Sequence, residues 1–287
     1  MNDAYVNAMN TQKASISWMD SVTENLANIY TPGYRENKVN FKTFLDSISC
    51  DGFLKNTDQG KAIPGTSNEN VFLEGQGYFV VRNEEGRLAY TRLGEFKFDE
   101  NGVYKSPDGS TVQGYIMNEK GEIMSGTKSL DKEEYNKILS EGGSLNIPTT
   151  EIKLWVDPDN GKYLGKYDEF EIKGDGILYG KANNGQESSP LFKLAIMNFH
   201  NPQELFQYKD GMFVETEASG RPVIGRGEVR SGLIELSNVD FKANITYYQE
   251  AKLQMDLAKN IMSSYKDLLE NAISLMSWFL TFLYGMS

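Results

Sequence analysis

The side chains able to do chemistry are few and scattered. His200 is the single histidine among 287 residues. It sits in Asn198-Phe199-His200-Asn201-Pro202, a strand end entering a turn, so no histidine cluster can bind zinc and only one histidine-based triad is conceivable. A structural or surface role is the favoured reading. The 40 acidic residues make chance carboxylate pairs of the glycosidase kind unavoidable, but no pair stands apart from turn chemistry. Gly75-Gln76-Gly77 lacks the third glycine of a dinucleotide fingerprint and precedes a strand, not a helix, so close backbone packing in a sheet is expected. Asp157-Pro158-Asp159-Asn160-Gly161 resembles the start of an acidic ion loop, yet its glycine is misplaced for an EF-hand and no glutamate closes it; a plain turn is expected. Cys50 is the only cysteine, which excludes an intramolecular disulfide and a thiol metal cluster and leaves a small, partly buried apolar residue. Asn244-Ile245-Thr246 fits a glycosylation sequon but falls on a predicted helix. The expectation is no catalysis, no cofactor, no metal and no small-molecule substrate. One basic residue invites a sharper reading: Arg92, between Tyr90 and Phe96 among acidic turns, is placed to pair with a carboxylate and lock a β domain.

The charge distribution narrows the partners. The formal net charge is −11, and residues 1–50 and 239–287 each contribute only −1, so the middle carries −9. Near-neutral ends can approach one another, whereas an acidic middle repels nucleic acid. The N-terminus shows no basic segment, apolar run and small-residue cleavage site in the manner of a secretory signal.

The patterning divides the chain into helical ends and a β-rich middle. Tyr5, Met9, Ile16, Met19, Val22 and Leu26 recur at helical spacing. That helix is expected to stop at Asn25-Leu26-Ala27-Asn28, where Asn28 can adopt a left-handed cap and Pro32 cannot continue a helix. Pro32-Gly33 suits the centre of a type II turn. Residues 35–70 read as an extended linker. Phe79–Val81, Leu88–Thr91, Phe96–Phe98 and Val112–Tyr115, separated by Asn-Gly and Asp-Gly turns, read as an antiparallel meander. A short helix is expected around Leu130–Leu139, then strands at Ile152–Val156, Phe170–Ile172, Ile177–Tyr179, Phe192–Met197 and Met212–Glu215. Ser237, Asn238 and Asp240 are N-cap candidates for a long final helix, whose stripe is Phe241, Ile245, Tyr248, Leu257, Ile261, Leu268 and Leu275. The nearly all-apolar stretch from Leu275 to Tyr284 is too short for a spanning helix, which needs about 20 residues. It reads as a helix extension buried in an assembly.

Together these residues resemble the flagellar rod and hook proteins. The motifs occur in the family's order: Asp20–Asn28 with Thr31-Pro32-Gly33-Tyr34; Gly75 to Val81; Tyr90-Thr91-Arg92-Leu93-Gly94-Glu95-Phe96 with Asp99, Gly102 and Gly109; Phe199-His200-Asn201-Pro202 with Gly211, Phe213, Thr216, Ser219-Gly220 and Pro222; and Gly232 through Asp240, which includes Asn238. The chain departs from the family where Gln249–Met255 replaces a Gln-Arg-aromatic stretch, in the tail beyond Leu275, and in residues 119–150, a divergent insertion.

The expected fold is α+β, with N- and C-terminal helices pairing as a coiled-coil-like core around a central antiparallel β-rich domain. The boundaries are 1–34 for the first helix and turn, 35–70 for the linker, 71–230 for the β domain and 231–287 for the final helix and tail. The resemblance implies a subunit of the basal-body rod in the periplasm, exported by the flagellar type III apparatus without a cleaved signal peptide. Its partners would be copies of itself and other axial proteins. Room for only one β domain favours rod over hook, and the short span from Tyr34 to Gly75 favours a proximal rod type. The terminal segments are expected to be disordered in the monomer and helical on assembly. A hook protein is the near alternative. A surface β-rich binding module is the remote one, because it leaves both helical stripes without partners.

Overall fold

A computed structural model describes residues 2–44, 47–125, 128–144, 147–154, 169–182, 187–209 and 211–284. They form two compact units, one from Met1–Ala27, Asn37–Leu54 and Asp240–Ser287, the other from Asn28–Glu36 and Lys55–Val239. The α-helices among them are α1 (Asn2–Ala27), α2 (Lys132–Glu141) and α3 (Phe241–Tyr284).

In the first unit α1 and α3 pack side by side. Tyr5 meets Tyr265 with ring centroids 5.4 Å apart, Trp18 meets Tyr247 at 6.1 Å, and Asn25 bonds Asn244. Ascending α1 therefore means descending α3, an antiparallel pair. At 1.5 Å per residue, α3 with 44 residues is about 66 Å long and α1 with 26 about 39 Å. Asp240 caps α3: its Oδ1 accepts the Ala243 N–H at 3.0 Å, satisfying one of the helix's free donors. Ser237 and Asn238, the other cap candidates, are used elsewhere.

The stretch 35–70, expected as an extended linker, carries the strands Asn37–Phe44, Ser47–Lys55 and Ala62–Pro64. The first two pair with each other and the third with Leu233–Glu235. Val39, Phe41 and Thr43 alternate with Lys38, Asn40 and Lys42, a strand period that the scattered glycines and prolines of the longer window obscure.

The second unit is antiparallel throughout. Its main sheet runs, in spatial order, Glu169–Ile172, Ile177–Ala182, Glu187–Leu194, Thr111–Ile116, Tyr78–Arg82, Leu88–Thr91, Met212–Val214 and Phe206–Lys209. Side chains alternate across a strand, and the central strand uses both faces. Phe79 and Val81 enter a core with Leu73, Phe96, Val112 and Leu194, while Tyr78 and Val80 enter another with Tyr90, Tyr115, Phe199 and Phe213. This explains an unbroken apolar run where a half-exposed strand would alternate. The turns fall at Asn83–Gly86, Asp99–Gly102 and Ser106–Gly109, each closed by a glycine N–H to the carbonyl three residues earlier. Helix α2 starts at the cap Asp131 and ends at left-handed Gly142 (φ 67°). Thr150–Glu151 pairs with Thr111–Ile116, and Ile152 and Leu154 are buried beyond it. Trp155 and Val156, like the turn Asp157–Gly161, lie outside the described residues.

Candidate assembly site

The turn after α1 is built as its residue types require. The Tyr34 N–H donates to the Thr31 carbonyl at 3.3 Å, and Gly33 has φ 70°, the positive value a type II turn needs at its third position. Asn28 precedes it with two acceptors used by Thr31, its carbonyl and its Oδ1. A side chain at Gly33 would also strike the backbone of Arg92 and Leu93 at 2.5–2.9 Å.

Immediately after this turn, Arg35 reaches a buried carboxylate, Glu235. Its Nη1 lies 2.8 Å from Glu235 Oε1, and Arg92 Nη1 lies 3.3 Å from Glu235 Oε2. All three residues are buried. Arg92 does pair with a carboxylate, then, and the partner is 143 residues away. Its guanidinium also donates to the carbonyls of Leu73 (2.9 Å) and Gly75 (2.6 Å) and lies 5.5 Å from the centre of the Tyr78 ring. Arg35 donates to the Asp58 carbonyl at 2.7 Å, and the Gly60 N–H donates to Glu235 Oε1 at 2.7 Å. One carboxylate thus joins the strand before α3, the segment after α1 and the hairpin carrying Arg92. Two cations and one anion leave a surplus positive charge; the Nε atoms of both arginines are buried without a hydrogen-bond partner. Burial pulls the Arg92 pKa down to about 10, opposed by Glu235 and reinforced by Arg35. Burial raises the Tyr78 phenol, which both arginines draw the other way.

Asn238 closes the same region. Its Oδ1 accepts the Glu36 N–H at 2.7 Å, and its Nδ2 donates to the carbonyls of Asn56 and Asp58 at 2.9 and 2.7 Å. Gly94 is held where Val71 N–H meets its carbonyl at 2.8 Å, and a Cβ there would lie 1.6 Å from the Val71 carbonyl oxygen. Gly75 and Gly77 bracket the join between two strands, the first against the Arg226 carbonyl and the second against Ile196 and Met197.

The helix unit has its own polar clamp. Asn25, buried on α1, donates through Nδ2 to the Asn37 carbonyl (2.8 Å) and to Asn244 Oδ1 (3.0 Å), and accepts the Asn37 N–H (2.8 Å). Asn244 is wholly buried, which removes its sequon from consideration as a modification site in this fold. Around the clamp the buried residues are small: Ala8, Ala14, Ser15, Ser21 and Val22 on α1, and Ala251 and Ala258 on α3. Asn244, Ala251 and Ala258 repeat every seven residues, as do Ala8, Ser15 and Val22.

The α1 stripe lies partly within this contact, with Tyr5 against Tyr265, and the α3 stripe lies largely outside it. Val22 is buried, Tyr5, Met9, Met19 and Leu26 are half-buried, and Ile16 is exposed. On α3, Phe241, Ile245, Leu257, Ile261, Leu268 and Leu275 are between 37 and 68% exposed, with Tyr248 half-buried. Beyond Tyr265, Leu268, Ile273, Trp278 and Phe279 are among the exposed residues. The pattern of large apolar residues does not reveal the small-residue face of α3 that touches α1. Arg35, which directly follows the quoted Thr31–Tyr34 turn, and Glu235, which lies inside the quoted stretch from Gly232 to Asp240, carry no local signal of their pairing. No helix among the described residues is long and apolar enough to cross a membrane. His200 is exposed in a turn; Cys50 lies in the strand Ser47–Lys55, and its side chain lies outside the description.

Comparison with known proteins agrees with the motifs. Residues 72–180 match the model of the flagellar hook protein FlgE/F/G D1 domain. The chain is 22% identical to the flagellar basal-body rod protein FlgG of Buchnera aphidicola subsp. Baizongia pistaciae, over 88% of this chain and 91% of the relative. It is 22% identical to the FlgG of Bacillus subtilis over 90 and 92% of the two chains, and 21% identical to the flagellar hook protein FlgE of Rhizobium meliloti over 94 and 97%. The alignments cover most of this chain and of each relative, and over that length the chain is similar to the flagellar rod and hook proteins.

Proposed function

We propose that this chain is a structural subunit of the flagellar basal-body rod, polymerising through its terminal helices into a tubular drive shaft. The observation that carries the reading is the unspent apolar surface of α3. The helix already packs on α1 through Asn244, Ala251 and Ala258, yet Leu257, Ile261, Leu268 and Leu275 remain exposed. An isolated helix is marginal in water and gains most of its stability from tertiary packing, and an apolar patch of this kind marks an interaction surface. Contacts between such a face and helices of neighbouring copies are head-to-tail, and they build an open helical polymer when the rotation does not close. Coiled-coil-like packing fits the seven-residue repeat of the buried small residues. The acidic middle of the chain favours solubility. Export through the flagellar type III apparatus without a cleaved signal, a periplasmic location, and contact with other axial proteins belong to the same reading.

The relatives include a hook protein, so hook is the second reading. Immunogold labelling of isolated hook–basal bodies with antibody to residues 119–190 separates the two. Label on the shaft between the membrane rings supports the rod. Label on the curved external segment makes the chain a hook subunit, and no label on intact structures overturns both.

A further inference from the structure

A cleft of about 200 Å³ opens in the β unit between α2 and the main sheet. Ile123, Ile177 and Ile196 form part of its apolar lining, and Tyr135 of α2 stands beside them. An apolar cavity of about 150 Å³ already holds benzene, so this cleft has room for a six-membered ring with a short side arm.

Its polar lining is lopsided. Lys132, Lys193 and Arg226 all border the cleft, and none of them makes an ion pair with a described residue. Lys193 donates to the Asp175 carbonyl at 2.7 Å and sits 4.8 Å from the centre of the Tyr135 ring, which leaves ammonium donors unspent. Burial holds its pKa below the usual lysine range, Asp175 opposes that shift, and Lys132 adds to it. Arg226 is tied to the carbonyls of Leu139 and Ser140 at the end of α2, at 2.8–3.2 Å. The two carboxylates bordering the cleft serve the backbone instead. Asp131 caps α2 by accepting the Glu134 N–H at 2.8 Å, and Asp175 accepts the Ile177 N–H at 3.3 Å. Three cations against two carboxylates around an apolar floor leave one surplus positive charge in a partly desolvated site. There an anion gains more than it would in water.

We propose that this cleft is a binding site for a carboxylate attached to an apolar body of about benzene size, its carboxylate held by Lys193 with Lys132 and its ring laid against Tyr135. Two sources share this chemistry: a free arylalkyl carboxylate, and a Phe-Glu or Leu-Glu pair on a segment of another protein subunit. All of its lining residues belong to the β unit.

The test is titration of the full chain with 3-phenylpropanoate, followed by amide and lysine-ammonium NMR shifts. The uncharged 3-phenylpropanamide is the control, and acetyl-Phe-Glu-amide is the peptide probe. Expected are saturable shifts at Tyr135 and Lys193 with a millimolar or lower Kd and at least tenfold weaker binding of the amide. Lys193→Met should weaken the carboxylate at least tenfold and leave amide binding unchanged, whereas Lys193→Arg should retain it. If Lys193→Met fails to fold, Lys132→Ser on the exposed face of α2 is expected to weaken the carboxylate several-fold. Tighter binding of the peptide than of 3-phenylpropanoate assigns the site to a protein segment, and the reverse order assigns it to a free carboxylate. Equal affinity for carboxylate and amide, or no saturable shift at 20 mM of any probe, overturns the proposal.

Discussion

Replacing Glu235 with glutamine keeps the side-chain shape and removes the one negative charge of the buried triad. Glu235 lies 2.8 Å from Arg35 and 3.3 Å from Arg92. With charge centres about 4 Å apart and an effective dielectric near 20, each attraction is worth about 4 kcal/mol gross. The variant also leaves two buried guanidinium groups facing each other with both Nε atoms unpartnered. Relaxation and water entry reduce the gross figure, and breaking a buried pair by removing one partner costs about 3–5 kcal/mol. For a unit of this size each kcal/mol shifts the melting temperature by roughly 2–4 °C, so Glu235→Gln is expected to lower it by about 6–20 °C. The assay is a calorimetric melt of the full chain at pH 7, with circular dichroism to separate β from helical signals. A triple variant with Arg35→Met, Glu235→Leu and Arg92→Met should recover much of the loss, because apolar replacement of a buried ion cluster is often neutral or stabilising. A fall below 2 °C for the single variant would refute the view that this carboxylate holds the entry and exit segments of the β unit together.

Other outcomes follow from the same contacts. Asn244→Ala removes the acceptor that Asn25 uses at 3.0 Å; leaving a buried amide short of a partner costs about 1–3 kcal/mol, read as an earlier loss of the 222 nm signal in urea. Alkaline stability should fall above pH 10. Burial raises the phenols of Tyr90, helped by Glu215, and of Tyr135, each to about 12, and that of Tyr115 further. These groups stay neutral in the folded chain while the unfolded chain ionises near pH 10, so their contribution is complete below about pH 10 and is lost as pH rises through about 12. Urea midpoints measured from pH 8 to 12 check this, and a midpoint independent of pH contradicts it. Hydrogen exchange in dilute monomer should be fast in α3 beyond Tyr265, where Leu268, Ile273 and Trp278 are exposed, and slow at Asn244 and Ala251. Equal protection along the whole helix would mean that the end of α3 does not need a partner.

The sequence announces the parts of this fold that local chemistry decides. Asn-Gly and Asp-Gly turns, the Pro32-Gly33 bend and the two helical ends are legible because a few neighbouring residues determine them. The helix expected around Leu130–Leu139 appears at Lys132–Glu141. What was not legible depends on partners far along the chain. Glu235 meets Arg92 across 143 residues, and nothing near either one names the other. Asn238, read as a helix cap, is diverted to Glu36, Asn56 and Asp58, and Asp240 takes the cap. The α1–α3 contact was misread for a different reason. Its buried residues are mostly alanine, serine and asparagine, which a pattern of large apolar side chains does not reveal. The seven-residue spacing of Asn244, Ala251 and Ala258 was the available signal.

The most direct test of the axial-subunit account is a photo-crosslinking amino acid placed at Leu268, which is 66% exposed, in cells that assemble flagella. The account predicts that irradiated, isolated hook–basal bodies yield a ladder of covalent multimers of this chain, and that the ladder disappears when Leu257 and Ile261 are changed to glutamate. A crosslinker that gives only monomer in intact basal bodies, or crosslinks exclusively to lipid, would contradict it.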